Sequence, residues 1–155
     1  MSLPSNLLTA GRQALVRRLQ SITSANGYLT NAGTNVRTGW FNEVLKSAGV
    51  AFPLIVLQKG RGKAPEAGPG ALKLFNGFYV IGAVNVGLDE YEDALEELEQ
   101  DLLRALVPIV GQRLGWVPRG VTGITVGAPE SFPPGNGERA ASVLIPVQLH
   151  TIIQG

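Results

Sequence analysis

A single histidine, His150, and a dense run of carboxylates, Asp89, Glu90, Glu92, Asp93, Glu96, Glu97, Glu99 and Asp101, are the side chains of this chain best suited to proton transfer or metal binding. General acid–base chemistry needs an acid and a base held in one cleft, and a metal needs donors at matched spacing. His150 is accompanied by no HExxH or GxSxG pattern, so it reads as a half-exposed histidine on a strand. The carboxylates recur at helical positions on a solvent side and read as a charged surface. There is no cysteine, which excludes disulfides, thiolate metal sites and cysteine nucleophiles. The expectation is a protein with no catalytic, cofactor-binding or metal residues, and not an enzyme.

A second candidate is the glycine-rich stretch KGRGKAPEAGPG, where Lys59, Arg61 and Lys63 alternate with Gly60, Gly62, Gly68, Gly70, Pro65 and Pro69. Phosphate loops use glycines to bring backbone N–H groups onto an anion, but they require GxxxxGK[ST] spacing and a helix directly after it. Neither is present. With almost no apolar surface to bury, the stretch is expected to project as a mobile hairpin tip that orders against a partner, or to be an inert loop.

The net charge of +1 conceals a strong polarity along the chain. Residues 1–63 carry eight basic side chains against Glu43 alone, whereas residues 64–103 carry only Lys73 against nine acids. Two readings remain open: solvated faces with pairing inside one subunit, or a basic face of one copy meeting an acidic face of the next. Arg17, Arg18, Lys59, Arg61, Lys63, Glu96 and Glu97 are the candidate interface residues. A basic excess this small, with aromatics at 6%, does not suit a dedicated nucleic-acid binder.

The elements that must carry these residues follow from periodicity. With 155 residues, 45% hydrophobic and 16% charged, the chain reads as one folded domain over 1–155. Leu8, Leu15, Leu19 and Ile22 fall at helical spacing and predict a helix over roughly 6–25, stopped at Asn26-Gly27. A short strand near Asn35 to Arg37 and a short helix over Phe41, Val44, Leu45 and Ala48, ended by Gly49, come next. Phe52 to Gln58 reads as a buried strand opened by Pro53. Leu72 to Val86 reads as a long strand with Leu72, Leu74, Phe78, Val80, Val84 and Val86 on one face, and with Gly77 and Gly82 marking a bulge or a close approach.

Asp89 with Glu92 forms a plausible capping pair for the strongest helix, whose stripe is Tyr91, Leu95, Leu98, Leu102 and Leu106, backed by Ala94 and Ala105. Pro108 is expected to end that helix near Leu106. VTGITV and ERAASVLIPVQLHTIIQ read as two strands joined by the loop GAPESFPPGNG, with Pro146 placing the last strand at a sheet edge or at a bulge. The fold class expected is α+β: a mostly antiparallel sheet with an N-terminal helix and a long central helix packed on one side. Neither an 18-residue apolar run nor a basic-then-apolar leader is present, so membrane insertion and secretion are not expected.

Taken together, the N-terminal amphipathic helix, the turn ANGYLTNAG, the strand PLIVLQKG, the Gly/Pro-rich hairpin, the strand LKLFNGFYVIGAVNV, the helix YEDALEELEQDLLRAL and the closing strand SVLIPVQLHTI resemble phage tail terminator proteins. The likeness is to the lambda minor tail protein U type or its counterpart in contractile-tailed phages. It covers nearly the whole chain, and the element order with ANGY carries it; PIVGQRLGWVPRG matches no feature of the group. The resemblance implies a structural virion protein assembled in the host cytoplasm as a homo-oligomeric, hexameric ring at the tail–neck junction. Such a ring ends tail-tube polymerisation and presents a surface to the head–tail connector or another neck protein. Its implied partners are the tail tube protein, the connector and, where the tail contracts, the sheath. DNA is involved only as it passes through the lumen, and no cofactor is implied. Another neck component, such as a tail completion protein, and a small-ligand-binding α+β domain are the alternative readings.

Overall fold

A computed structural model describes residues 6–47, 49–85, 91–134 and 140–154. The first helix, α1 (Leu7–Gln20), starts where the Asn6 side chain accepts hydrogen bonds from the N–H groups of Leu8 and Thr9, a cap the sequence reading did not single out. It ends earlier than expected. The chain leaves α1 at Ser21 and makes a separate 3-10 turn over Ser24–Asn26, and it is this turn that Gly27 closes, at φ 86°. The Asn-Gly stop is therefore real, but it terminates a second, shorter element. Leu15, Leu19 and Ile22 are fully buried, and Leu8 is half-buried.

Among the described residues, the strands β1 (Val36–Thr38), β2 (Leu54–Lys59), β3 (Lys63–Gly68), β4 (Ala71–Asn85), β5 (Val121–Val126), β6 (Glu130–Phe132) and β7 (Ala140–Gln154) form a single sheet in the order β1-β2-β4-β7-β5. β3 continues the β2 side of β4, and β6 continues the β5 side of β7. Every pairing is antiparallel except β1 with β2, which are joined by a crossover through the short helix α2 (Phe41–Lys46). The centre is the pair β4 and β7, in unbroken register from Ala71 opposite Gln154 to Asn85 opposite Ala140.

Three expectations about this sheet are corrected. The Gly/Pro-rich stretch forms the hairpin expected, but as a paired strand and not a loop: β3 pairs with Ala71–Phe75, and Pro69-Gly70 makes the two-residue turn, with Gly70 at φ 65°. Backbone pairing does not require buried side chains when the partner strand is itself anchored, as β4 is by β7. The closing strand is central and not at an edge. Pro146 is tolerated because its carbonyl accepts from the Gly127 N–H at 2.8 Å at the point where β7 changes partner from β5 to β6, so its missing N–H breaks no ladder. The loop after β5, expected to be irregular, carries β6.

The long helix α3 (Tyr91–Leu106) ends before Pro108 as expected; its capping residue Asp89, like Val86 and Ala48, lies outside the described residues. α1 and α3 cover one face of the sheet. Leu15, Leu19, Ile22, Leu98, Leu102 and Leu106 meet Ile55, Leu57, Phe78, Val80, Val143, Ile145 and Leu149 in one core. α2 packs instead on the opposite face, with Val44 against Leu54, Val56, Ala83 and Ala140. Gly82 is the close approach anticipated in β4, since a Cβ there would meet Leu98 Cδ2 at 2.8 Å. Leu72 and Leu74 share the face of Phe78 but run beyond the helices, so Leu72 is exposed and Leu74 half-buried. No helix among the described residues is long and apolar enough to cross a membrane.

Leu98 lies at the centre of this packing, fully buried and seated on Gly82. Leu98→Ala is expected to cost about 2–5 kcal/mol through lost burial and the residual cavity. Glu97→Ala, on the exposed side, should stay within about 0.5 kcal/mol. Denaturant unfolding of the two variants checks the contrast.

Candidate assembly surfaces

The acidic helix does two different jobs. Asp101 was expected to belong to a solvated face, yet it is only 1% exposed. Its Oδ1 accepts from the Leu29 N–H at 3.0 Å, and its Oδ2 accepts from the Thr30 N–H at 2.8 Å and the Thr30 hydroxyl at 2.7 Å. One turn later Arg104 donates to the Gly27 carbonyl and lies over the Tyr28 ring, 4.8 Å from its centroid. The stretch Gly27–Thr30, the most recognisable part of the N-terminal third, is thus gripped by two side chains of α3 three residues apart. The signal was present in the sequence. Asp101 falls three residues after Leu98 and four before Ala105, inside the apolar stripe.

The remaining acids of α3 face outward. Glu92, Asp93, Glu96 and Glu97 are exposed and Glu99 is half-buried. The candidate basic residues divide. Arg17 is exposed, but Arg18 is engaged within the subunit: its Nε donates to the Ala105 carbonyl at 2.8 Å and its guanidinium lies 5.9 Å from the Trp116 ring centroid. That places a cation on an unsatisfied carbonyl in the last turn of α3, where the helix dipole favours it. Arg18 is therefore a less available interface residue than Arg17.

Lys59, Arg61 and Lys63 are brought together at the base of the β3–β4 hairpin, and the structure adds Lys73, which had not been singled out. Lys59 Nζ donates to Asn76 Oδ1 at 3.0 Å and lies over Phe78, while Lys63 and Lys73 lie 4.8 and 5.3 Å from the centroid of Phe75. Among the described residues the only ion pair is Lys46 with Glu43, at 3.7 Å. Among the described residues no ion pair joins the two charge populations.

His150 sits beside the hairpin, edge-on to Phe75 with ring centroids 5.2 Å apart, and shares a 2.7 Å hydrogen bond between Nε2 and Thr125 Oγ1. Its pKa is held below the ordinary 6.5 first by burial, then by Lys73 and Lys63. It also borders an open cleft of about 920 Å³ between β5 and the segment 108–120, lined in part by Arg113, Arg119 and Thr122. In that segment Val107, Ile109 and Val110 are exposed, Val110 almost completely at 98%, while Trp116 and Val117 pack on the main core. No group of His, Asp and Glu among the described residues is placed to hold a metal ion.

No protein-family model matches this chain, and no curated protein matches it in sequence.

Two outcomes follow from this geometry. Asp101→Asn keeps the shape but leaves one acceptor oxygen for three donors, and should cost about 1.5–3 kcal/mol in a thermal or urea melt. For His150 the depressed pKa means that the unfolded chain binds a proton more readily than the folded one once the pH falls below 6.5. Stability contributed above that pH is therefore lost on acidification through the folded pKa. His150→Gln should flatten the fall in melting temperature between about pH 7.5 and 5.5; parallel slopes for the two proteins would refute the assignment.

Proposed function

We propose that the protein is a structural component of a phage virion, a ring at the tail–neck junction that caps the finished tail tube and provides the surface joining tail to head connector. The observation that carries this reading is the segregation of charge. Acids crowd the outer side of α3, cations crowd the β3–β4 hairpin and part of α1, and among the described residues no ion pair joins the two sets. A monomer gains nothing from such a division. In a head-to-tail contact, where one patch of a copy meets a different patch of the next, it gives direction and register. Heterologous contacts of that kind either close into a ring or run on as a filament.

The order of elements supports the reading as well. An amphipathic helix, the ANGY turn, a buried strand, a Gly/Pro-rich hairpin, a long strand, a long helix and a long closing strand follow one another as they do in the resemblance to tail terminators. The count of six copies, and the tube, connector and sheath as partners, rest on that resemblance. The exposed residues Val107, Ile109 and Val110 offer apolar surface of the kind an assembled contact buries.

Native mass spectrometry and sedimentation over a concentration series should show a closed oligomer, expected to be a hexamer, that dissociates as salt is raised. Added tail tubes should stop growing when it binds their ends. A protein that stays monomeric at high concentration and low salt, with tube present, would sink the proposal.

A further inference from the structure

The β3–β4 hairpin is a built object, and its geometry says more than that it is basic. β3 pairs with Ala71–Phe75, and the opposite edge of that same stretch of β4 pairs with His150–Gln154 of β7, which β5 and Gly120 flank in turn as far as Ile152, so the β3–β4 hairpin is an arm that extends one end of the sheet. Residues 61–70 are exposed throughout, and the outer edge of β3 has no partner strand among the described residues. The arm's base is a crossing that only glycine permits. A Cβ on Gly77 would collide with the Arg61 carbonyl, one on Gly62 with the Phe75 carbonyl, and one on Gly60 would approach the Phe78 carbonyl carbon to 2.7 Å. Arg61 is thereby fixed against the sheet, and the arm leaves it in one direction.

The arm's cations are positioned by aromatic rings and not by carboxylates. Lys63 and Lys73 share the ring of Phe75, and Lys59 lies on Phe78. Two ammonium groups on one ring repel each other, and Glu66, the cross-strand neighbour of Lys73, stands within 4.0 Å of neither. The outer side of α3 carries the complementary frustration: Glu92 with Glu96, and Asp93 with Glu97, are like charges four residues apart, an arrangement that weakens a helix. α3 covers the part of β4 around Gly82, whereas the arm occupies Ala71–Phe75 toward the other end of that fifteen-residue strand, so the two surfaces do not meet within one chain.

From this complementarity we infer that the β3–β4 arm is a prong that docks on the outer, acidic side of α3 in a second copy of this chain, with Arg61, Lys63 and Lys73 facing Glu92, Asp93, Glu96 and Glu97. This inference rests on the ring reading above and names the two surfaces that would make its repeating contact. Because the arm is already folded, docking does not have to meet the cost of ordering a loop. Each contact also leaves one free prong and one free helix, so it propagates until it closes.

The test is a set of charge reversals read by sedimentation at low salt, with circular dichroism confirming the fold. Arg61→Glu/Lys63→Glu/Lys73→Glu is expected to weaken self-association at least about tenfold, and Glu92→Lys/Asp93→Lys/Glu96→Lys/Glu97→Lys to do the same. Mixing the two should restore an oligomer in which they alternate, because the natural arm of one meets the natural helix of the other and the reversed arm meets the reversed helix, although neither protein assembles alone. Combining both sets in one chain should restore the full oligomer. If a reversed protein loses its fold, the milder Lys63→Gln/Lys73→Gln pair and a cross-link replace it. The natural chain has no cysteine, so Arg61→Cys mixed with Glu97→Cys should give a disulfide-linked heterodimer, and Arg12→Cys mixed with Glu97→Cys should not. Unchanged assembly of the arm-reversed protein overturns the contact while leaving the ring reading intact. A wild-type chain that stays monomeric even with tubes removes both. Retention of duplex DNA by the wild type but not by the arm-reversed protein, with self-association unaffected, overturns the contact in favour of a nucleic-acid surface.

Discussion

The buried carboxylate of Asp101 is the interaction on which the arrangement of this fold depends. A charged group almost out of contact with water is tolerated only if its lone pairs are occupied by donors, and three donors from Leu29 and Thr30 occupy them. Those donors lie on an irregular segment that has few apolar side chains of its own to hold it; Leu29 itself is exposed. The bond therefore ties two parts of the chain seventy-odd residues apart, fixing where the N-terminal turn crosses α3. Arg104 on Gly27 and Tyr28, and Arg18 on the Ala105 carbonyl, extend the same tie toward the end of the helix. α1 and α3 are then held as one layer whose apolar side can close over the sheet.

The sheet beneath is organised by two strands that do more than form a core. β4 and β7 each run fifteen residues, which at about 3.3 Å per residue is roughly 50 Å, longer than the helices that cover them. One part of each is buried under α1 and α3. The remainder carries β3, whose side chains are exposed, while Phe75 and Thr151 beneath it stay buried. The same pair of strands thus supplies stability at one end and an exposed surface at the other. Gly77 and its neighbours mark the point where one role gives way to the other.

How much of this was legible in the sequence depends on whether burial left a period. The α3 stripe from Leu95 to Leu106 and the alternation of Ala141, Val143, Ile145, Val147 and Leu149 were readable because one side of each element is dry. β3 was not readable. All six residues of KAPEAG are exposed, so no alternation exists to distinguish a strand from a loop, and only pairing with β4 makes it one. Pro146 pointed to an edge or a bulge because a proline cannot serve a continuous ladder, but a strand that changes partners has a gap into which it fits. Asp101 was hidden in a run of acids that look equivalent by composition and differ only in angular position around the helix. Of the candidate surface residues, Lys59, Arg61 and Lys63 are close in sequence, but Lys59 lies over Phe78 while Lys63 lies over Phe75, which Lys73 reaches through the hairpin register.

Charge in this protein is therefore used in two ways that composition alone does not separate. Where it serves the fold, it is buried or half-buried and its partner is a backbone group: Asp101 with N–H groups, Arg104 and Arg18 with carbonyls. Where it does not, it is exposed, set beside like charge and left without an ion-pair partner, as on α3 and on the arm. Surface ion pairs contribute little to the stability of a monomer, so their near absence costs the fold almost nothing. Two surfaces of opposite charge on one chain would attract each other only between molecules, which is the contact proposed above. That attraction scales with the number of charges brought together and falls as salt screens them. If the proposed contact forms, rigid, complementary charged patches would make encounter fast and oriented without requiring a large apolar face to be exposed beforehand.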